Sequence, residues 1–205
     1  MQMHQDDAEL VSAFVENADE KAFRTLVERH QERIYGFLLG MVRDPAVADD
    51  LFQETFVKAV RAMQRQKGSY TSQGRWLQWV MRIARNTALD HLRSRKRSRM
   101  KLVMENEEGL DLDQIVIDGE PDASDKLQRR QQAAWLNACI DRLPPEQREV
   151  VLMRHESELT FKEIAELTDC SINTALGRMR YALLNLRRML QETDANELER
   201  IELAS

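Results

Sequence analysis

The sequence predicts an all-α fold, made of two small helical domains joined by a flexible acidic linker. Apolar residues recur every three to four positions along most of the 205-residue chain, which is the helical period. Glycine and proline are scarce, with 7 and 4 copies, and runs of β-branched residues that would indicate strands are almost missing. One long acidic segment interrupts the periodicity and divides the chain into two helical parts.

The first domain is assigned to residues 7–99. Its periodicity begins at Leu10 and Phe14 and runs without a clear break to Pro45. Proline disfavours a helix at the residue before it and fits a first helical turn, so a new helix is predicted over 46–63. The Gly- and Ser-rich stretch 66–75 is predicted to be a loop. A further helix starts at Arg75 and is expected to end in the basic sequence "RSRKRSRMK".

The remaining chain divides into three parts. Residues 100–125 have no stable period and are interpreted as the flexible acidic linker. The second helical domain covers residues 126–190, with a pause at "LPPEQ". Residues 191–205 form a polar tail that we expect to be frayed.

Charge is strongly segregated along the chain, although its net value is only −5. Residues 82–101 contain eight Lys and Arg against one acid, and residues 170–190 contain four Arg and no acid. Between them, residues 102–125 contain nine acids and no base. Two basic segments on either side of an acidic one indicate two contacts with a polyanion.

Composition argues against several classes of protein. Cys139 and Cys170 lack the spacing of a zinc site or disulfide framework, and we expect them to be buried, unreactive thiols. The histidines are scattered, with no nucleophile–base pair and no phosphate loop, so neither enzyme chemistry nor a cofactor is expected. No apolar run reaches the roughly 18 residues of a membrane span. A cytoplasmic protein without membrane insertion is therefore expected.

Residues 160–190 have the layout of a helix-turn-helix. Thr160 and Glu163 can form a capping box at the start of a short helix. Asp169 is expected to adopt the left-handed conformation in the turn, which Asp tolerates better than most residues. Ser171 then caps the next helix.

This next helix has two predicted faces. The inward face is apolar and contains Ile172, Leu176, Met179, Leu183 and Leu186. The other face suits a recognition helix in the major groove, with small polar side chains and an Arg for base edges, and further Arg for phosphates. It contains Asn173, Thr174, Gly177, Arg178, Tyr181 and Arg188. The alternative is an amphipathic helix with a solvated basic face.

The helix from Arg75 presents an aromatic and basic stripe opposite its apolar side. The stripe contains Trp79, Arg82, Asn86, Asp90 and Arg93. An exposed Trp beside Arg and Asn suits a single-stranded nucleic acid, and the 66–75 loop could hold an unstacked base. Trp76 is predicted to be a core residue. For Trp79, a place in the core and a role in stacking on nucleic acid both stay open.

The 46–63 helix offers a third, acidic surface. Its outer side contains Asp50, Gln53, Glu54, Val57 and Arg61. Acids here would repel DNA, so this is either plain solvated surface, which the residues alone favour, or a protein-binding face.

Three stretches together resemble bacterial extracytoplasmic-function sigma factors of the sigma-70 family. They are "DDLFQETFVKAV", "WLQWVMRIARNTALDHLRSRKR" and "LPPEQREVVLMRHESELTFKEIAELTDCSINTALGRMRYALLNLRR", and the resemblance extends over about 20–190. It implies a sigma factor that binds core RNA polymerase and directs promoter-specific initiation, recognising the −35 element and melting the −10 element. Regulation by an anti-sigma factor is common in the family.

The resemblance also implies roles for particular residues. Core polymerase would be bound by Asp50, Gln53, Glu54, Val57 and Arg61. The single-stranded −10 element would be bound by Trp79, Arg82, Arg85, Asn86, Asp90 and Arg93. The −35 duplex would be bound by Ser171, Asn173, Thr174, Gly177, Arg178, Tyr181 and Arg188.

An ordinary helix-turn-helix regulator is the alternative function. It would explain residues 160–190 but would leave the Trp79 stripe and the acidic 46–63 face without a purpose. An anti-sigma or adaptor protein would not need two basic surfaces. For a sigma factor, we expect the free protein to keep its domains loosely associated until the polymerase separates them, and to bind DNA weakly.

Overall fold

The computed structural model describes residues 6–65, 75–105 and 124–203, with side chains for 6–65, 75–98 and 133–191. These residues form eight helices and no strand, which confirms the all-α prediction. The helices are α1 (Asp7–Asn17), α2 (Glu20–Val42), α3 (Pro45–Arg65), α4 (Trp76–Glu105), α5 (Ser124–Asp141), α6 (Pro145–His155), α7 (Phe161–Leu167) and α8 (Ile172–Leu203). Among the described helices, none is both long and apolar enough to cross a membrane.

Local capping explains where the first helices begin. Ala18 is left-handed, with φ of 53°, and the Asp19 carboxylate accepts hydrogen bonds from the Lys21 and Ala22 amides, so α2 starts afresh. The continuous apolar periodicity had not predicted this break. Asp44 caps α3 in the same way. The predicted 46–63 helix is thereby confirmed, to within two residues at each end.

Two helices extend beyond their predicted ends. The basic sequence after Arg93 continues α4 to Glu105, so the prediction that the helix ends within this sequence is wrong. The helix α8 continues past Leu190 to Leu203, where a frayed tail had been expected. Arg, Lys, Met, Glu and Leu are good helix formers, and neither extension contains Gly or Pro to stop it. The linker prediction for 100–125 lies largely outside the described residues, as does the 66–75 loop.

The helix-turn-helix forms as its caps predict. Thr160 and Glu163 make the capping box, with the Thr160 hydroxyl accepting from the Glu163 amide. Asp169 is left-handed, with φ of 50°. The Ser171 hydroxyl accepts from the Thr174 amide at 3.0 Å and so caps α8.

The inward face of α8 was predicted only in part. Ile172, Leu176 and Leu183 are 44–54% exposed, so placing them in the core was wrong. Leu186 is buried as predicted, and the helix otherwise meets its domain along Ala175, Ala182 and Met189, which are buried too. Because two of these residues are alanines, the neighbouring helices approach α8 closely on that line, and the larger leucines beside it stay outside.

The two domains are packed against each other along α2 and α6 and along α4 and α7. One cluster of buried residues spans both domains and contains Val150, Leu152 and Met153 of α6 together with Phe37 and Leu38 of α2. A second, smaller cluster lies within the second domain. At this contact α2 has no room for a side chain at Gly40, because an added Cβ would lie 2.5 Å from Leu152 Cδ2. The loose association expected from the sequence is thus a packed interface.

Candidate nucleic-acid and protein interfaces

The outer side of α3 is a solvent-facing surface of mixed character. Its five residues are all exposed: Asp50, Gln53, Glu54, Val57 and Arg61. Val57 is 47% exposed in the middle of this polar set. Lys58, beside it, pairs with Glu54 at 2.8 Å and donates to the Thr87 hydroxyl of α4 at 3.1 Å. An apolar centre within a charged rim is typical of a protein interface.

The tryptophans at the start of α4 have different environments. Trp76 is 1% exposed, which confirms its assignment to the core. Trp79 is half-buried and packs against the same core, so only part of its ring is available for stacking. One turn or more further along, Asn86, Asp90 and Arg93 are exposed, with Arg93 donating to Asp90 at 3.2 Å.

Two arginines of α4 contact the second domain: Arg85, which lies beside the stripe, and Arg82, which belongs to it. Arg85 donates through Nε and Nη2 to the two carboxylate oxygens of Glu149, at 2.6 and 3.2 Å. Arg82 donates through Nη2 to the backbone carbonyl of Glu166 at 2.9 Å. The stripe is therefore open at its C-terminal half, whereas its N-terminal half contacts the second domain through Arg82, which stays exposed.

His30 lies beneath the start of α4 and belongs to the core rather than to a reactive site. Its ring centroid is 5.2 Å from that of Trp76, and its Nε2 is 2.8 Å from Asp7 Oδ2. Burial lowers the pKa of His30 below 6.5, and the nearby Asp7 carboxylate opposes this shift. The histidine therefore fixes α1 against α2 through its contact with Asp7.

The N-terminal part of α8 is an exposed polar surface. Ser171, Asn173 and Thr174 are exposed around the capped first turn, and Tyr181 is 62% exposed further along the helix. A Cβ on Gly177 would meet nothing within 4 Å, so the surface is open at that point. Arg178 is half-buried and Arg188 is exposed on the same side. The helix thus presents small groups and cations together, as a major-groove reader requires.

Comparison with known proteins identifies the family of this chain. Residues 26–98 match the family described as sigma-70 region 2, and residues 133–186 match sigma-70 region 4. The chain is 30% identical over 181 residues to the RNA polymerase sigma-H factor of Pseudomonas aeruginosa, covering 87% of this chain and 91% of that one. It is 32% identical to the sigma factor CarQ of Myxococcus xanthus, covering 84% and 91%. The chain belongs to the ECF branch of the sigma-70 family.

The same fold occurs in a solved sigma factor. RpoE of Bartonella quintana, crystallised with the anti-sigma factor NepR, has a TM-score of 0.62 to this chain. The match covers 83% of this chain and 98% of RpoE at 22% identity. In sigma-factor terms, α3 and α4 up to residue 98 lie within region 2, and α6, α7 and the first half of α8 lie within region 4.

Sequence reasoning missed four side chains at the contact between regions 2 and 4. Arg75 and Gln78 of α4 both donate to Glu166 Oε2, at 3.1 and 2.8 Å. Glu149 directly precedes the apolar run "VVLM" and is only 6% exposed. A buried carboxylate requires a cationic partner, so Glu149 next to apolar residues was a signal in the sequence for an ion pair. The sequence pattern does not identify the cation.

The two cysteines lie apart, and neither joins a metal-ligating cluster in the described part of the chain. Cys139 is 4% exposed, and burial raises the pKa of its thiol, which keeps it protonated. Cys170 is only half-buried, contrary to expectation, with its Sγ 3.2 Å from the Thr168 hydroxyl.

Proposed function

We propose that this sigma factor binds core RNA polymerase through the outer side of α3 and reads promoter DNA through α4 and α8. The −35 duplex is read by the N-terminal part of α8, with Asn173, Thr174 and Gly177 near base edges and Arg178 and Arg188 near phosphates. The −10 single strand lies along α4, from Trp79 to Arg93. The protein is not an enzyme and works in the cytoplasm, where its polymerase acts.

The observation that carries this proposal is the presence of three differently built surfaces on one region 2–region 4 chain. The α3 surface combines acids with an exposed valine, which suits a protein and repels DNA. The α8 surface is a capped recognition helix with an open glycine. An ordinary helix-turn-helix regulator requires only the α8 surface. An anti-sigma factor is a further partner that we propose, since the similar RpoE structure contains one.

Charge reversal on α3 tests the polymerase contact. The Asp50→Lys/Glu54→Lys variant is expected to bind fluorescently labelled core polymerase at least about tenfold more weakly than the wild type, because like charges at an interface cost on the order of 1 kcal/mol each. Glu28→Lys/Glu32→Lys is the matched control, since it reverses two exposed acids on a different helix, α2. Equal affinities for the wild type and both variants would contradict the assignment of α3 to polymerase binding.

A further inference from the structure

Lys58 of α3 connects the surface proposed to bind polymerase with the helix proposed to bind the −10 strand. Its ammonium group lies 2.8 Å from Glu54 Oε1 on its own helix and donates a hydrogen bond to Thr87 Oγ1 of α4 at 3.1 Å. Glu54 belongs to the α3 surface. Thr87 is next to Asn86, one of the exposed residues assigned to the −10 strand. A single side chain therefore contacts both functional elements.

The two contacts of Lys58 differ in their access to water. Lys58 and Glu54 are both exposed, and an ion pair between exposed side chains contributes little to stability. Thr87 is only 2% exposed. A hydrogen bond from a charged donor to a buried acceptor is among the stronger kinds, because the acceptor has no water to replace the donor. The position of the ammonium group is therefore determined mainly by Thr87.

The packing of α3 on α4 gives this hydrogen bond a particular role. The two helices pack together, and their buried residues include Ala59 of α3 and Ala84 and Ala88 of α4. Apolar burial is non-directional, so it holds the helices close together without fixing how α4 is rotated about its own axis. A hydrogen bond is directional. The bond from Lys58 to Thr87 therefore restricts the rotation of α4.

The rotation of α4 determines where the Asn86 amide lies. Successive residues of a helix are about 100° apart, so Thr87 faces inward while Asn86 faces solvent. At the surface of a helix about 10–12 Å in diameter, a rotation of about 10° moves a side chain by about 1 Å. An amide reads a base edge through hydrogen bonds that tolerate only a few tenths of an ångström. A small rotation is thus sufficient to lose a base contact by Asn86.

We propose that Lys58 is a positioning residue for −10 recognition, which holds Thr87 and so sets the rotation of α4 at which Asn86 meets its base. The inference rests on the proposed role of Asn86 in −10 binding. Lys58 acts through the buried hydroxyl rather than by touching the strand. Because Lys58 lies on the helix proposed to dock on polymerase, it also fixes the −10 reader relative to the enzyme.

The base preference of the holoenzyme tests this role, because a loss of stability alone lowers the RNA yield from all templates alike. The template is a promoter found by sequencing RNA 5′ ends, with its −10 positions randomised, and the sigma factor is in excess over core polymerase. Lys58→Met removes the ammonium group, and Thr87→Val removes the hydroxyl with little change of shape. The matched controls are Lys21→Met, at an exposed lysine of α2, and Thr87→Ser, which keeps the hydroxyl.

Asn86→Ala is expected to lower the preference for one base at one −10 position by about tenfold. Lys58→Met and Thr87→Val are each expected to lower the same preference by roughly fivefold or more. Adding Asn86→Ala to either variant should lower it by less than about twofold further, because coupled residues are not additive. Both controls should keep the wild-type preference to within about twofold.

The remaining outcomes separate this proposal from the −10 assignment. If Asn86→Ala lowers the preference but Lys58→Met and Thr87→Val do not, the −10 assignment stands and the positioning role is refuted. If Lys58→Met acts and Thr87→Val does not, the lysine acts directly on DNA or polymerase, which also overturns the proposal. An unchanged preference in Asn86→Ala would overturn both the assignment of Asn86 and the proposal. Thr87→Val and Thr87→Ser carry the test if Lys58→Met does not fold.

Discussion

At the scale of single residues, the chain combines groups that secure its helices with groups that must remain free for partners. Thr160, Ser171 and Asp19 all satisfy helix N-terminal amides with side-chain oxygens. Such caps each stabilise a helix by about 1 kcal/mol, and they fix where α2, α7 and α8 begin. The first turn of α8 is held in place by Ser171, while Asn173 beside it stays exposed.

His30 makes the stability of the protein depend on pH. Its pKa in the folded protein lies below 6.5, chiefly because burial disfavours the imidazolium. As the pH falls below about 6.5, the unfolded chain takes up a proton that the folded chain does not, so the free energy of unfolding decreases. We expect this decrease to be smaller in His30→Gln, by about 1.4 kcal/mol for each unit of the shift. Denaturation at pH 7.5 and 5.5 measures it, and an NMR titration giving His30 a pKa above 6.5 would contradict it.

At the scale of elements, α8 has three faces rather than the two that its sequence pattern suggests. One is buried along Ala175 and Ala182, one is apolar but exposed at Leu176 and Leu183, and one is polar around Thr174 and Tyr181. Which apolar residues are buried depends on how closely the neighbouring helices approach. Periodicity alone places all apolar residues on one side and cannot resolve this difference.

Gly177 tests whether the polar face of α8 meets DNA. Because a Cβ at this position touches nothing in the protein, Gly177→Ala should increase the free energy of unfolding by up to about 1 kcal/mol through helix propensity. If the glycine allows close approach of a DNA backbone, the same variant should lose affinity for the −35 duplex when bound to polymerase, by roughly tenfold. Promoter binding by the reconstituted holoenzyme measures this effect. Unchanged binding by a stabilised variant would remove Gly177 from the interface.

At the scale of the whole molecule, the packing of region 2 on region 4 is the feature that most separates the structure from the sequence-based prediction. The helices, the caps of the helix-turn-helix and the burial of Trp76 follow from local patterns, because each depends on residues within a few positions. The interdomain contacts do not: Arg85 and Glu149 are 64 positions apart, and Gln78 and Glu166 are 88 apart. The sequence contains acidic and basic residues that could form ion pairs between the domains, but it is equally compatible with several different pairings of them.

Gly40 provides a test of the packed arrangement as a whole. Gly40→Ala would push a Cβ into the buried Leu152 side chain, so we expect the free energy of unfolding to fall by about 1–3 kcal/mol and the radius of gyration of the free chain to rise. Gly36→Ala is the matched control on α2. Its Cβ would lie 2.9 Å from the terminal oxygen of Glu156, at the end of a flexible side chain that can move. Both variants gain the same helix propensity, so equal stability and equal size would argue against the Leu152 contact.

Transcription by sigma-free core polymerase, with and without the chain, tests the central claim that this sigma factor confers promoter specificity through two DNA surfaces. The templates are pooled genomic fragments, and the 5′ ends of the RNA are sequenced. The account predicts new, discrete start sites preceded by two shared sequence motifs at a constant spacing, one for α4 and one for α8. A chain that binds the polymerase but yields no new start sites, or start sites sharing only one motif, would contradict it.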